Sequence, residues 1–473
     1  MNEDQFRSWS RRAAEWGADY RASLNDRPVR ARTAPGEILA RIAAHPPEKP
    51  EPMEAIFADF EETILPGITH WQHPRFFAYF PANAAPASVI AEYLVSAIAA
   101  QCMLWQTSPS ATELETRMLD WLRQAVGLPD HFAGVIQDSA STATLAAVVT
   151  MRERALQWQG NQRGLAAHVP VRVYASDQVH TSFDRAIWIA GIGDEHLVRI
   201  PVTGPRHGMD VAALEVAIKR DQEVGLLPAG VIACVGGTSV GATDNVAAVC
   251  DVAKRHGLFT HVDAAWAGSA MICPEFRHYW AGVELADSIV FNPHKWLGAQ
   301  FDCSAHFIRD PDSLVRTLAI RPEYLKTHGR DGVIDYSEWS VPLGRRFRAL
   351  KLWFLLRAHG LEDLRAMIRN HVSWSEGLAQ RIATEPNFAL VSRPMLSLFA
   401  FRYAPPDIAD LDGLNLELVN AINEDGRIYL TQTRVDGQIA IRFQAGSFAT
   451  TEQDVDEAFN AIMDCARRLR SRA

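Results

Sequence analysis

Lysine is scarce in this chain. Only six of its 47 basic side chains are lysines, at Lys49, Lys219, Lys254, Lys295, Lys326 and Lys351. Cysteine is scarce too. Cys102, Cys234, Cys250, Cys273, Cys303 and Cys465 are scattered over 473 residues, with no C-x-x-C pair and mostly apolar neighbours. That excludes a disulfide framework and predicts reduced core thiols in a cytoplasmic protein. Positive charge is in deficit, at a formal net charge of −9 with only short basic patches. Nucleic acid is therefore not an expected partner. No uninterrupted apolar run reaches the roughly 20 residues that a bilayer span needs. The most apolar stretch, Ala84 to Met103, is broken by Glu92 and reads as a buried helix. The first residues are polar and charged, without an apolar signal region, so no membrane association is expected. Internal repeats and low-complexity tracts are also lacking.

What is present is an ordinary globular composition, 48% hydrophobic and 22% charged. One lysine stands apart. Lys295 lies in Asn292-Pro293-His294-Lys295-Trp296-Leu297-Gly298, directly after the apolar run Ser288 to Phe291. The other five lysines read as exposed or helix-end positions. Desolvating an ammonium is costly, so a lysine inside an apolar strand-turn points to chemistry, above all imine formation. The bland alternative is a lysine that snorkels to water.

The chain divides by pattern into a helical N-terminal segment (1–78), a large domain (79–355) and a small α+β domain (356–473). In the first, Phe6, Trp9, Ala13, Trp16 and Tyr20 form one helical stripe, which needs either the main body or a second subunit to cover it. Ile56, Phe57, Phe60 and Ile64 form a second helical face. His70 to Pro81 is aromatic and proline-bounded. His70 and His73 allow a metal pair, but Pro74 and the aromatic setting favour a pocket for a flat ring and no metal.

Helices are predicted at 86–103, 112–126 and 141–157. Val135 to Thr144 runs from a strand into the third, and its Ser139, Ser141 and Thr142 suit a phosphate cradle at a helix start. Plain N-capping explains them equally. From about 170 to 295, strands at Val171–Ala175, Gly230–Val235, Leu258–Val262 and Ser288–Phe291 alternate with helices. One of these helices spans Asn245 to His256, capped by Asp244. This pattern predicts a mostly parallel sheet covered on both faces, with ligands beyond the carboxyl ends of the strands. His180, Thr238, Asp263, His294 and Lys295 all fall at such ends. A polar, glycine-bearing segment at 321–346 reads as a mobile lid. Helices at 347–359 and 361–383, strands near Ala389 and Leu398, a helix near 413–424, a hairpin at Asp436-Gly437 and a helix at 451–469 complete the chain.

An imine-forming lysine, a phosphate cradle, a strand-end aspartate and a histidine with a flat face together suit pyridoxal 5'-phosphate. The sequence resembles the group II pyridoxal-phosphate-dependent decarboxylases, specifically the aromatic-L-amino-acid decarboxylases. The resemblance is carried by Asn292 to Trp296, His261 to Ala265, Ile272 to Arg277, Phe301 to Ala305 and Pro342 to Phe347. It covers almost the whole chain and implies an α/β, fold-type I transferase-like architecture. It implies that Lys295 anchors the cofactor as a Schiff base and that Asp263 pairs with the ring nitrogen. Ala265 would pack beneath the ring and His180 stack over it. Ser139, Ala140, Ser141, Asn292 and His294 match phosphate-side positions, and Thr238 and Asp244 match polar positions near the ring. Trp71, Tyr79, Phe80 and Pro81 match the wall for the substrate's aromatic ring. Tyr324 matches a lid tyrosine that, with His180, returns a proton to Cα. Gly344 matches a position that leaves room for an indole. The resemblance also implies a homodimer with the active site at the subunit interface and the N-terminal segment packed on the partner.

Three residues depart from that pattern. Asp138 stands where many relatives have glycine, Ala82 where animal relatives have threonine, and Trp266 where tyrosine is frequent. Two rival readings remain. Aromatic aldehyde synthases share the scaffold but typically replace the lid tyrosine or the stacking histidine, and both are present here. Gly237-Thr238-Ser239-Val240-Gly241 also fits G-x-S-x-G, which would make Ser239 a hydrolase nucleophile, yet leaves Lys295 and Asp263 unexplained.

Overall fold

The computed structural model describes residues 1–320 and 332–471. Its central sheet has seven strands. They are β1 (Ala133–Gln137), β2 (Val171–Ser176), β3 (Leu197–Ile200) and, after a short hairpin of β4 (Val202–Thr203) and β5 (Gly208–Met209), β6 (Leu227–Cys234), β7 (Phe259–Asp263), β8 (Ser288–Phe291) and β9 (Ser304–Ile308). The spatial order is β1-β9-β8-β7-β6-β2-β3. Neighbours from β8 to β3 run parallel, whereas β9 is antiparallel to both β8 and β1. Every residue of β7, β8 and β9 is buried, as a sheet covered on both faces requires. Along β6, Val231 and Ala233 join one apolar cluster while Ile232 and Cys234 join the other. The two-residue period of a strand thus feeds two helical layers.

The small domain is a four-stranded antiparallel sheet. Its strands are β10 (Phe388–Met395), β11 (Leu398–Tyr403), β12 (Thr431–Val435) and β13 (Gln438–Gln444), in the order β10-β11-β13-β12. The Asp436-Gly437 turn takes positive φ at both residues, the geometry that matches strand twist in a tight hairpin. Helices Leu411–Asp425 and Glu452–Arg470 bury Leu418, Ile422, Val455 and Ile462 against Phe399, Phe401, Ile441 and Phe443. The two helices predicted at 347–359 and 361–383 lie within Ala349–Thr384 and part at Gly360, whose backbone at φ 63° and ψ 175° is not helical.

Several expectations change. The helix predicted at 86–103 ends at Ile98, because Ala99 turns left-handed. It is also only half buried. Val89, Ile90, Tyr93, Leu94 and Ile98 face outward, and Glu92, the break in its apolar run, points toward a cation. That cation is Lys351, which reads as exposed in the sequence but is 1% exposed. Its ammonium pairs with Glu92 at 2.7 Å and donates to the Gln300 carbonyl and side-chain oxygen at 3.0 and 3.1 Å. Burial of the lysine is tolerated because its donors are met. Asp244 does not cap the following helix; Asn245 does, accepting from the Ala248 N–H.

The N-terminal helix, Glu3–Ala22, has no buried residue. Its stripe packs on the second helical face, with Trp9 5.5 Å from Phe57 and Trp16 5.0 Å from Phe60. Phe6 remains 59% exposed. Among the described residues no helix is long and apolar enough to cross a membrane, and all six cysteines are free and buried.

Candidate active site

The carboxyl ends of β6, β7 and β8 converge on a cavity of about 190 Å³. It is lined by Lys295, Asp263, Ala265, His180, Thr238, Ser139, Ala140, Ser141, Asn292, His294 and Phe80, all singled out in the sequence. Cys234, Gly236, Gly237, Ser182 and Trp266 complete the wall. A larger cavity of about 530 Å³ lies near β1, between Trp105, Phe132, Tyr336 and Trp339, and holds none of these groups.

Lys295 follows β8 in a tight turn. Its N–H donates to the Asn292 carbonyl at 2.9 Å, and its own carbonyl accepts from Asn83. Gly298 closes the turn at φ +95°, where a Cβ would lie 2.5 Å from Phe448. Burial lowers the Lys295 amine to a pKa of about 8; nearby Asp263 opposes the shift and Arg442 adds to it. An amine of that kind is neutral often enough near physiological pH to attack a carbonyl.

Asp263 ends β7 beside Cys234 of β6. One carboxylate oxygen accepts the Ala265 N–H at 2.9 Å, fixing the side chain over the strand end. Across the cavity, His180 accepts the Ser182 N–H on Nδ1 at 3.1 Å. In the neutral ring the hydrogen is therefore on Nε2. Burial lowers the pKa of His180, Asp263 opposes that shift and Lys295 adds to it.

Ser139 caps the helix Ala140–Ala155, accepting the Thr142 N–H at 3.2 Å. The free N–H groups of this first turn open on the cavity. His294 accepts the Cys303 N–H on Nδ1 at 2.9 Å. Burial and the neighbouring Lys295 push its pKa down to about 3, so it is neutral with Nε2–H free to donate. Asn292 accepts the Ser304 hydroxyl at 2.6 Å, leaving its amide hydrogens for the cavity. Neutral donors at a helix start, an amine of lowered pKa and a carboxylate fit the phosphate, aldehyde and ring nitrogen of pyridoxal 5'-phosphate.

Other expected residues lie elsewhere. Asp244 is buried beneath the end of β6, accepting the Met209 and Cys234 N–H groups at 2.6 and 2.7 Å. It braces the site without lining it, and burial raises its pKa to about 6. Trp71 and Tyr79 stack 5.7 Å apart on the surface, 38% and 47% exposed. Pro81 is buried but outside the lining, and Gly344 lies beside Gln101. Tyr324 is outside the described residues, as is most of the first half of the predicted lid. Ser239 bonds the Thr433 hydroxyl at 2.5 Å. Its turn leads into a bridge between Val235 and Thr243, and the next helix starts at Val246. A nucleophile elbow would lead straight into a helix. His70 Nδ1 bonds the Tyr20 hydroxyl at 2.8 Å and His73 Nδ1 accepts the Arg75 N–H, so one nitrogen of each ring has a local partner, while His73 Nε2 is buried without one.

Two residues escape the sequence reading. Asn83 is fully buried and ties the Lys295 carbonyl to Gly446 and Phe448. Arg442, in β13, is 3% exposed. Its Nε donates to the Thr238 carbonyl at 2.7 Å and its Nη1 to the Tyr79 carbonyl at 2.5 Å, while Nη2 is buried without a partner. An arginine inside the apolar run Ile439 to Phe443 was the available signal for it.

Comparison with known proteins gives a consistent result. Residues 35–404 match the pyridoxal-dependent decarboxylase conserved domain. The chain is 38% identical to phenylacetaldehyde synthase of Arabidopsis thaliana, over 99% of this chain and 97% of that protein. It is 39% identical to aromatic-L-amino-acid decarboxylase of Sus scrofa, over 99% and 98%. The crystal structure of Oryza sativa TDC with PLP and tryptamine superimposes with a TM-score of 0.95 at 36% identity, covering 99% of both chains.

Proposed function

This chain belongs to the pyridoxal-dependent decarboxylase family, and from that membership we propose that it decarboxylates an aromatic L-amino acid to the arylalkylamine and carbon dioxide. The observation that carries the reading is the meeting of Lys295 and Asp263 at adjacent strand ends in one cavity with a helix-start cradle. Bound there, pyridoxal 5'-phosphate supplies a protonated ring that draws electrons from a bond breaking at the substrate's Cα.

The chain's own residues do the rest. Lys295 would hold the cofactor through its amine. Asp263 keeps a proton on the ring nitrogen, since a carboxylate in a dry site favours a cationic neighbour. Ala265 and His180, which both line the cavity, would border the ring. Ser139, Ser141, the Ala140 N–H, Asn292 and His294 receive the phosphate, with Thr238 bordering the ring and Asp244 bracing it from below. Phe80 lines the cavity and would receive the aromatic side chain, whereas Trp71, Tyr79, Pro81 and Gly344 lie outside the lining of a single chain and would contribute where a second copy completes the wall. Tyr324, with His180, delivers a proton to Cα.

Trp71, Tyr79 and the outer face of the helix Pro86–Ile98 are open in a single chain. That exposure supports a homodimer in which a second copy closes the substrate side and packs on the N-terminal segment. A cytoplasmic setting suits the free cysteines. Tryptophan or 5-hydroxytryptophan is the proposed substrate, followed by dopa, phenylalanine or tyrosine. Gly344 leaves room for a bicyclic ring, and the rice structure binds tryptamine.

The test is a substrate panel scored by kcat/KM, with amine, aldehyde and hydrogen peroxide measured together. Amine from an aromatic substrate supports the reading, and preference for an acidic amino acid sinks it. The likeness to a phenylacetaldehyde synthase favours one second reading, the aldehyde synthase. Stoichiometric aldehyde and peroxide would establish that one instead. Tyr324→Phe should shift product from amine toward aldehyde.

A further inference from the structure

We propose that the carboxylate of Asp138 competes with the cofactor's phosphate for the Ser139 hydroxyl. The proposal rests on the cofactor reading of the cavity. A serine hydroxyl has one hydrogen to give. The Ser139 oxygen already accepts the Thr142 N–H at 3.2 Å, as cap of its helix. Its hydrogen faces the Asp138 carboxylate at 3.1 Å, with the Thr142 hydroxyl at 3.2 Å as the other choice. A phosphate oxygen seated at this helix start calls on the same hydrogen and the same positive dipole end.

The charges around the cradle make the competition matter. Ser139, Ala140, Ser141 and Asn292 are neutral, and His294 is held neutral by burial and Lys295. No cation of the cradle itself offsets a dianion beside Asp138. Arg348 spends its Nε on Asp302 at 2.7 Å, and Lys351 is committed to Glu92 and Gln300. Asp138 therefore weakens cofactor retention in this chain.

The test follows cofactor release from the holoprotein into an excess of a trapping reagent, by loss of its visible absorbance. Asp138→Asn should release roughly tenfold more slowly than the wild type, equivalent to about 1.4 kcal/mol. With pyridoxal lacking its phosphate, uptake should be the same with and without Asp138→Asn. Unchanged or faster release from Asp138→Asn overturns the proposal, as does an equal gain with pyridoxal. A wild-type protein whose cofactor is not fixed on Lys295 by borohydride would overturn the cofactor reading as well, so the two failures are distinguishable.

Discussion

The amine of Lys295 lies 5.0 Å from the centre of the Phe80 ring, against the face of an aromatic wall rather than in water. The guanidinium of Arg442 lies 4.5 Å from the same ring. The reactive amine and a buried cation thus share one aromatic ring. Phe80 in turn stacks on Trp266 at 4.7 Å, and Trp266 on Trp296 at 4.9 Å, so the wall continues into the core.

The first prediction concerns pH. Burial lowers the Lys295 amine from 10.5 to about 8. A lowered pKa means the neutral, nucleophilic form gains as pH rises through about 8 and is lost below it. The rate at which cofactor-stripped protein takes up pyridoxal 5'-phosphate should rise with a midpoint near that value and then level. Stopped-flow absorbance one unit either side of the midpoint checks it. A rate still climbing steeply well above the midpoint would show an ordinary, solvated lysine. Lys295→Ala should lose the borohydride-fixed label and all decarboxylation.

Arg442 should reveal itself through Lys295. Its positive charge lowers the amine's pKa. Arg442→Met should therefore move the uptake midpoint upward, whereas Arg442→Lys, which retains charge, should leave it close to the wild type. Both lose the fork that joins the Thr238 and Tyr79 carbonyls. Each should unfold more easily by about 1.5–3 kcal/mol, the usual weight of hydrogen bonds to a charged group. Urea melts alongside the uptake measurement separate the two effects. A midpoint unmoved in Arg442→Met would rule out the electrostatic link.

How much of this was legible in the sequence depends on how local the cause is. Lys295, Asp263 and His180 stand at strand ends, and strand ends follow from apolar runs of four to eight residues. The parallel core of the sheet was legible for the same reason. β9 was not read as a strand: Ser304 to Ile308 carries a histidine at its centre, and its antiparallel partners β1 and β8 are set by tertiary pairing. Lys351 was misread because its partner Glu92 lies far away in sequence, on another helix. Asp244 was read as a helix cap because it directly precedes the helix. Only the fold brings the Met209 and Cys234 N–H groups to it. Arg442 and Asn83 owe their positions to contacts with segments hundreds of residues away, which no local pattern records.

The ion pair between Arg345 and Glu115 ties the segment around Gly344 to the strand that leads into the cradle. Both side chains are 2% exposed. Glu115 also accepts the Ile136 N–H at 2.8 Å, and Arg345 donates to the Ile136 carbonyl at 3.1 Å. Removing one partner leaves a buried charge uncompensated, which costs about 3–5 kcal/mol. Glu115→Ala should lower stability by that amount in urea unfolding. Because Ile136 stands three residues before Ser139, it should also weaken cofactor retention. Loss of stability without any change in cofactor release would confine the pair to a scaffolding role.

The outward face of the helix Pro86–Ile98 bears on quaternary structure. Ile90 is 57% exposed, Tyr93 49% and Leu94 37%, all on the side away from Ala91 and Val95, which are buried. Apolar side chains at this spacing on one helical face are costly to leave in water and mark a contact surface. If that contact is a second copy of the chain, Ile90→Glu paired with Leu94→Glu should shift the protein from dimer to monomer in light scattering. Neither side chain touches the cavity, so the monomer should still bind the cofactor visibly. Its kcat/KM for an aromatic substrate should nevertheless fall sharply, because Trp71 and Tyr79 would lose the cover that makes them a wall. A monomer of full activity would show that one chain holds the whole site, and an undiminished dimer would place the interface on another face.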